Sequence, residues 1–271
     1  MPVVALLTDF GNQDHYVGGM KGAILTVCPD ATLVDLAHEI PAHDVTAGAL
    51  ALASSWRDFP PQTVFVAVVD PGVGSARRGL ALEAGGYRFV GPDNGILSLV
   101  MADVEGPAAL HEIANASLLR PDVSATFHAR DVFGPVAAHL ARGLPIAQVG
   151  PVVSDPVTLP QPILRALGKG EWEATVVHVD RFGNLITNLR RRELEEVLAS
   201  VANDWSDIVV VVEGEILPLA RTYADVPEGE GCALMGSSGR LEVAVHRGNA
   251  ARLLGAGTGA PVRVRAVGPV L

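Results

Sequence analysis

The chain has 271 residues, 49% of them hydrophobic and 18% charged, which is ample for a buried core and excludes a disordered chain. A formal net charge of −10 speaks against nucleic acid or an anionic membrane as partner, because phosphates demand a basic face. At this length one large or two modest domains are expected.

The first apolar run, residues 3–7, reads as a strand and leads directly into Thr8 and Asp9. No basic leader or small-residue cleavage site precedes it, and no apolar stretch reaches the ~18 residues of a membrane span. A cytoplasmic protein is therefore expected. Helices are predicted over 16–27, 44–56 and 131–142, and strands over 3–7, 32–36, 64–69 and 88–90. The strands are Val-rich and apolar on successive residues, as in a sheet covered on both faces. Pro29 and Pro60 follow two of the helices and would stop them. Cys28 and Cys232 lie far apart with no metal or redox spacing, so they are expected as reduced, buried thiols.

Pro151, Pro156, Pro160 and Pro162 mark a linker. Beyond it the pattern becomes short alternating strands at 174–179, 208–212, 232–235, 241–245 and 262–267, with helices only at 191–201 and 249–254. The expected architecture is α/β: an N-terminal α/β sandwich with a mostly parallel sheet over 1–155, a linker over 156–170, and a small antiparallel β-barrel over 171–271.

Polar residues gather where strands end. The first strand runs into Asp9, the strand from Val64 into Asp70 with Arg77 beyond it, and the strand at Arg88 into Asp93. Taken singly, each carboxylate is an ordinary turn residue. Ending neighbouring strands of one parallel sheet, all three are read as converging on one ligand crevice. His128 precedes a predicted helix for which Asp131 is a natural N-cap, and it is a candidate base or water-orienting group. Other motifs are discounted. Thr8-Asp9-Phe10-Gly11 lacks the remaining parts of a kinase, and Gly72-Val73-Gly74 lacks the third glycine of a dinucleotide fingerprint. The pairs His38-Glu39 and His43-Asp44 cannot readily converge on a metal, so no metal site and no cofactor are expected.

An ordered set of motifs resembles the S-adenosylmethionine (SAM) hydroxide adenosyltransferase family, relatives of the fluorinating and chlorinating enzymes. The set runs from Thr8-Asp9-Phe10-Gly11 and Glu39-Ile40-Pro41-Ala42-His43-Asp44-Val45 through Val69-Asp70-Pro71-Gly72-Val73-Gly74 and Gly91-Pro92-Asp93-Asn94-Gly95 to Phe127-His128-Ala129-Arg130-Asp131. In the second half it continues with Asp180-Arg181-Phe182-Gly183-Asn184, Ser237-Ser238-Gly239 and Arg247-Gly248-Asn249-Ala250. The resemblance implies hydrolysis of SAM to adenosine and L-methionine in a homotrimer, with substrate between the N-terminal domain of one subunit and the C-terminal domain of its neighbour. It implies that Asp70, Arg77 and His128 position and activate water, and that Asp9 holds the ribose hydroxyls. Asp180, Asn184 and Ser237 would hold the methionine end, and Asn249 and Ala250 the adenine. Halide-using relatives lack the Asp, Arg and His combination. Ala129 and Gly236 depart from the pattern, standing where Gly and Asn are expected, and Gly236 removes a polar contact near the methionine end. The alternatives are a metal-dependent phosphoester hydrolase and a non-catalytic SAM or adenosine sensor.

Overall fold

Strand β1 (Val3–Thr8) carries apolar side chains toward both of its faces and is buried from Val4 onward, so it needs cover on each side. It pairs in parallel with β2 (Thr32–Ala37) and with β3 (Val64–Val68), and β3 pairs in parallel with β5 (Tyr87–Pro92). Strands β4 (Gly79–Ala84) and β6 (Ala108–Glu112) complete a six-stranded, mostly parallel sheet of order β2-β1-β3-β5-β4-β6. The computed structural model describes residues 1–168, 170–201 and 207–266. Val267, which ends the last predicted strand, lies outside them.

On one face, Val4, Leu6, Val64 and Val66 pack with Met20 and Ile24 of α1 (Tyr16–Val27) and with Val136 and Leu140 of α4 (Gly134–Ala141). The other face is covered by α2 (Val45–Ser55) and α3 (Ser98–Asp103). Gly48 lets α2 approach closely: a methyl group there would sit 3.0 Å from Val69 and 3.6 Å from Leu7. Asp44 caps α2 by accepting the Ala47 N–H at 2.9 Å.

Strands β4 and β6 and helix α3 were not among the predicted elements. β4 and β5 form a hairpin whose turn, Gly85-Gly86, has φ of 60° and 83° at its two residues, the conformation glycine supplies without strain.

The chain divides into two compact units, Met1–Leu159 and Pro160–Leu271. The second is built on antiparallel strands in the order β11 (Glu215–Pro218), β10 (Ile208–Val212), β14 (Pro261–Ala266), β8 (Glu171–Val179), β9 (Leu185–Arg190), β13 (Arg240–Val245), β12 (Gly231–Met235), with β7 (Arg165–Gly168) added beside β8. A bridge between Leu219 and Ala233 joins the two ends of that order, so the sheet curls into a near-closed barrel. Val262 and Val264 point inward while Arg263 and Arg265 point out, the period of two that the sequence shows. Helices α5 (Arg191–Val201) and α6 (Ala250–Leu254) complete this unit. Cys28 and Cys232 are both buried free thiols.

Candidate active site

Because β1, β3 and β5 are consecutive in the parallel part of the sheet, the turns after their carboxyl ends lie side by side. A cavity of about 520 Å³ opens there, and Asp9, Asp70 and His128 all line it. Asp93 does not. Its carboxylate accepts Arg78 Nε and the Val157 N–H, each at 2.8 Å, and Arg78 also pairs with Asp155 at 2.8 Å. Asp93 therefore anchors the segment around residue 157, and the expected convergence of three strand-end carboxylates holds for two.

Asp70 and Arg77 are joined by a six-residue loop that folds back on itself. Arg77 Nε donates to Asp70 Oδ1 at 2.9 Å and its Nη2 donates to Oδ2, a two-pronged pairing of nearly buried partners. The same Nη2 donates to His128 Nδ1 at 2.8 Å, and the guanidinium lies 5.1 Å from the Phe133 ring centre. Gly74, at φ 78°, is required in this loop: a Cβ there would collide with the carbonyl of Ala125.

His128 is held from the other side by a π-helical turn over Ala129–Phe133 that leads into α4. The predicted N-cap role of Asp131 does not occur. Its carboxylate is fully buried inside the turn, where it accepts the Ser124 N–H at 2.9 Å and Arg130 Nε at 2.7 Å. Burial works to raise the Asp131 carboxyl, but the bonds from Arg130 and Ser124 hold it below its ordinary value. Burial, and then the charge of Arg77, push the His128 imidazole below its ordinary pKa, against the opposing pull of Asp70 and Asp131. Arginine only donates, so the Nδ1 facing it must accept, and the proton of neutral His128 sits on Nε2. Ala129 is buried in the core cluster, so its extra methyl is accommodated.

Asp9 accepts the His43 backbone N–H at 2.9 Å, a contact made with His43 in the left-handed region at φ 68°. Beside it stand three rings that the sequence reading missed. Phe10 and Tyr16 both meet Phe127 edge to face, with centres 6.0 and 5.3 Å apart, and all three line the cavity. They come from separate segments, so no local pattern announces them. Of the discounted histidine pairs, His43 reaches Asp9 through its backbone, Asp44 caps α2, and Glu39 accepts from Asn12 at 3.0 Å. Among the described residues, no three His, Cys, Asp or Glu side chains are grouped to hold a metal ion.

In the second unit, Asp180, Asn184 and Asn249 come together. Asp180 Oδ1 accepts the Phe182 and Asn184 N–H groups at 2.9 Å, and Oδ2 accepts Asn184 Nδ2 at 3.0 Å. Gly183, at φ 86°, passes so close to the Asn249 side chain that a Cβ would overlap it, and its carbonyl accepts the Ala251 N–H at 2.9 Å. Asn249 caps α6 through Arg252 N at 2.7 Å, and Ala250 is fully buried. Ser237 is exposed in the turn between β12 and β13. Gly236 packs on the Glu242 carboxylate, which is 6% exposed and accepts the Tyr223 hydroxyl. Burial raises the Glu242 carboxyl and the nearby charge of Asp180 adds to that, with the Tyr223 bond opposing. The missing asparagine thus has a physical reason: Glu242 already occupies the space that a side chain at 236 would enter.

An α/β unit with a carboxylate, arginine and histidine joined at its strand ends, followed by an antiparallel barrel, matches one family along most of the chain. Residues 4–150 match the SAM hydroxide adenosyltransferase N-terminal domain, and residues 174–263 match its C-terminal domain. The chain belongs to the SAM hydroxide adenosyltransferase family. It is 40% identical over 267 residues to an (R)-S-adenosyl-L-methionine hydrolase of Salinispora tropica, covering 98% of each chain. A fluorinase of an Actinoplanes species is 29% identical over 273 residues, with 90% of each chain covered. A crystal structure of a conserved protein from Thermotoga maritima, itself uncharacterized, superimposes with a TM-score of 0.89 at 34% identity, covering 96% of this chain and 99% of that one.

Proposed function

We propose that this protein hydrolyses SAM to adenosine and L-methionine by attack of water on the ribose 5′ carbon. The observation that carries the reading is the shared guanidinium nitrogen of Arg77, which ties Asp70 and His128 into one unit at the cavity wall. A sulfonium leaves as a neutral thioether, so the reaction asks the protein chiefly to place water and accept its proton. Water adds its oxygen to C5′, the C5′–S bond breaks toward sulfur, and one proton is released. His128, with its proton on Nε2, orients the water by donating to its oxygen. Asp70, which only accepts and keeps a second lone pair on each oxygen, takes the proton. Arg77 holds both in register. Water is favoured over a halide because a fixed donor and acceptor are what a neutral nucleophile with protons to lose requires.

The remaining assignments follow the family resemblance. Asp9 binds the ribose hydroxyls between the Phe10, Tyr16 and Phe127 rings, while Asp180, Asn184 and Ser237 hold the methionine end and Asn249 and Ala250 border the adenine. A homotrimer, in which these two groups come from neighbouring subunits, and a cytoplasmic location complete the reading. Among the described residues no helix is long and apolar enough to cross a membrane.

The test is incubation of the purified protein with SAM in ¹⁸O-water, with and without chelator. Adenosine carrying the label on its 5′ oxygen, formed equally in both, is the expected outcome. Unlabelled adenosine would rule out attack at C5′, and loss of activity in chelator would favour a metal-dependent hydrolase.

A further inference from the structure

Behind the Asp9 turn, four side chains form a hydrogen-bonded file from the surface to the cavity wall. Lys21 Nζ on α1 donates to Asp35 Oδ2 at 2.7 Å, and Asp35 Oδ1 is 3.1 Å from His38 Nε2. His38 Nδ1 is 2.8 Å from Thr8 Oγ1, which accepts the Phe10 N–H at 3.3 Å. The ends of the file dictate its polarity. Asp35 is a carboxylate: burial works against its charge, but the bonds from Lys21 and His38 hold its pKa below the ordinary value. Accepting only, it obliges His38 Nε2 to donate. In neutral His38, Nδ1 then accepts, and the Thr8 hydroxyl donates to it while taking the Phe10 N–H on a lone pair.

His38 grips the same turn a second time, since its carbonyl accepts the Gly11 N–H at 2.8 Å. The register between β1 and β2 shifts between Leu6 and Leu7, just before this point, and so re-aims the end of β2 toward the turn. Residues 8 and 11 are thus both fastened to one histidine, and Asp9 and Phe10, the two that line the cavity, are suspended between them. Asp, His and Thr are also the residue types of a nucleophilic triad, but Thr8 is fully buried, as His38 nearly is, with exposures of 0% and 3%. No substrate atom reaches the Thr8 hydroxyl, so the file acts through its neighbours.

We propose that Asp35, His38 and Thr8 are positioning residues that hold the Asp9–Phe10 turn in its nucleoside-receiving shape and therefore govern substrate affinity, not the chemical step. This rests on the SAM hydrolase reading above. An isolated hydrogen bond contributes modestly, but a turn released from its clamp loses several aligned groups together.

The test compares Thr8→Val, Thr8→Ser and Asp35→Ala with the wild type, reading KM and kcat for SAM and the Kd of adenosine by calorimetry. Thr8→Val keeps shape and removes the hydroxyl, and it is expected to raise KM and the adenosine Kd by roughly tenfold with kcat within about twofold. Thr8→Ser restores both constants. Asp35→Ala, at a half-exposed position outside the cavity, is expected to raise both by a few-fold, and it carries the test if Thr8→Val does not fold. A wild-type KM and Kd in Asp35→Ala, or a fall in kcat in place of the KM change, would overturn the proposal. A wild type that binds adenosine but does not split SAM would defeat the hydrolase reading alone, leaving the Kd series to decide on the clamp. A wild type with no affinity for adenosine would overturn both.

Discussion

Arg77 and His128, 51 positions apart in the chain, meet through a 2.8 Å bond from guanidinium Nη2 to imidazole Nδ1. That nitrogen also serves Asp70, so Arg77 fixes the carboxylate and the imidazole relative to one another. Asp70→Ala and His128→Ala are each expected to lower kcat by roughly 10²–10⁴-fold, with KM changed little. Arg77→Lys keeps the charge but carries its donors on a single nitrogen and cannot span both Asp70 oxygens and the ring as the planar fork does, and it should fall in the same direction. Steady-state kinetics on SAM check this, and a full-speed His128→Ala enzyme would sink the arrangement.

The pH dependence follows from the same contact. His128 must stay neutral to accept from Arg77, and burial with the Arg77 charge holds its pKa below the ordinary 6.5. The acid limb of kcat/KM that belongs to His128 should therefore lie below pH 6.5 and vanish in His128→Gln. For stability the sign is that of a depressed histidine. As pH falls through 6.5 the unfolded chain binds the proton first, so this group's contribution is complete above 6.5 and is lost toward the folded pKa. A limb centred above 6.5 in the wild type would contradict the neutral ring.

Asp9 and Gly74 should separate binding from chemistry. Asp9→Ala removes the carboxylate beside the aromatic rings and is expected to raise KM by about tenfold or more while kcat holds. Gly74→Ala places a methyl against the Ala125 carbonyl at φ 78°, which shifts the loop carrying Asp70 and Arg77. Its kcat should drop although residue 74 carries no functional group. Unchanged kcat in Gly74→Ala would show that the loop tolerates the shift.

Gly236 and Glu242 form a testable pair within the barrel. Gly236→Ala forces a methyl into the Glu242 carboxylate and should cost about 1–3 kcal/mol in denaturant unfolding. Glu242→Ala opens that space, so the double variant should recover part of the loss, giving a coupling of about 0.5–3 kcal/mol. Strict additivity would mean the two side chains do not compete.

Local pattern carried much of the fold. The apolar runs of β1 and β3 announced strands buried on both faces, and the alternation in β14 announced a barrel wall, whereas β10 is apolar throughout and alternates only in burial. β4 escaped notice although Gly85-Gly86 marked its hairpin, because an apolar run of its length is ambiguous between strand and helix. In the candidate site, Asp9 and Asp70 were legible as strand-end carboxylates of one crevice, and the same logic misassigned Asp93. Asp93 has the same turn chemistry as the other two, and only Arg78 and the Val157 N–H, which approach from elsewhere, withdraw it from the cavity.

By itself the sequence determined the principal strands and helices, the two-part architecture and the family, since these depend on periodicity, turn residues and the succession of motifs along the chain. The tertiary structure alone decided how polar side chains are partnered: Arg77 shared between Asp70 and His128, His38 turned inward to Thr8, and Glu242 lodged beneath Gly236. The reason is physical. An apolar residue needs only burial, which many neighbours supply and local pattern reveals. A buried polar atom needs one donor or acceptor at about 3 Å in the right direction, and which residue provides it is settled only when distant segments pack.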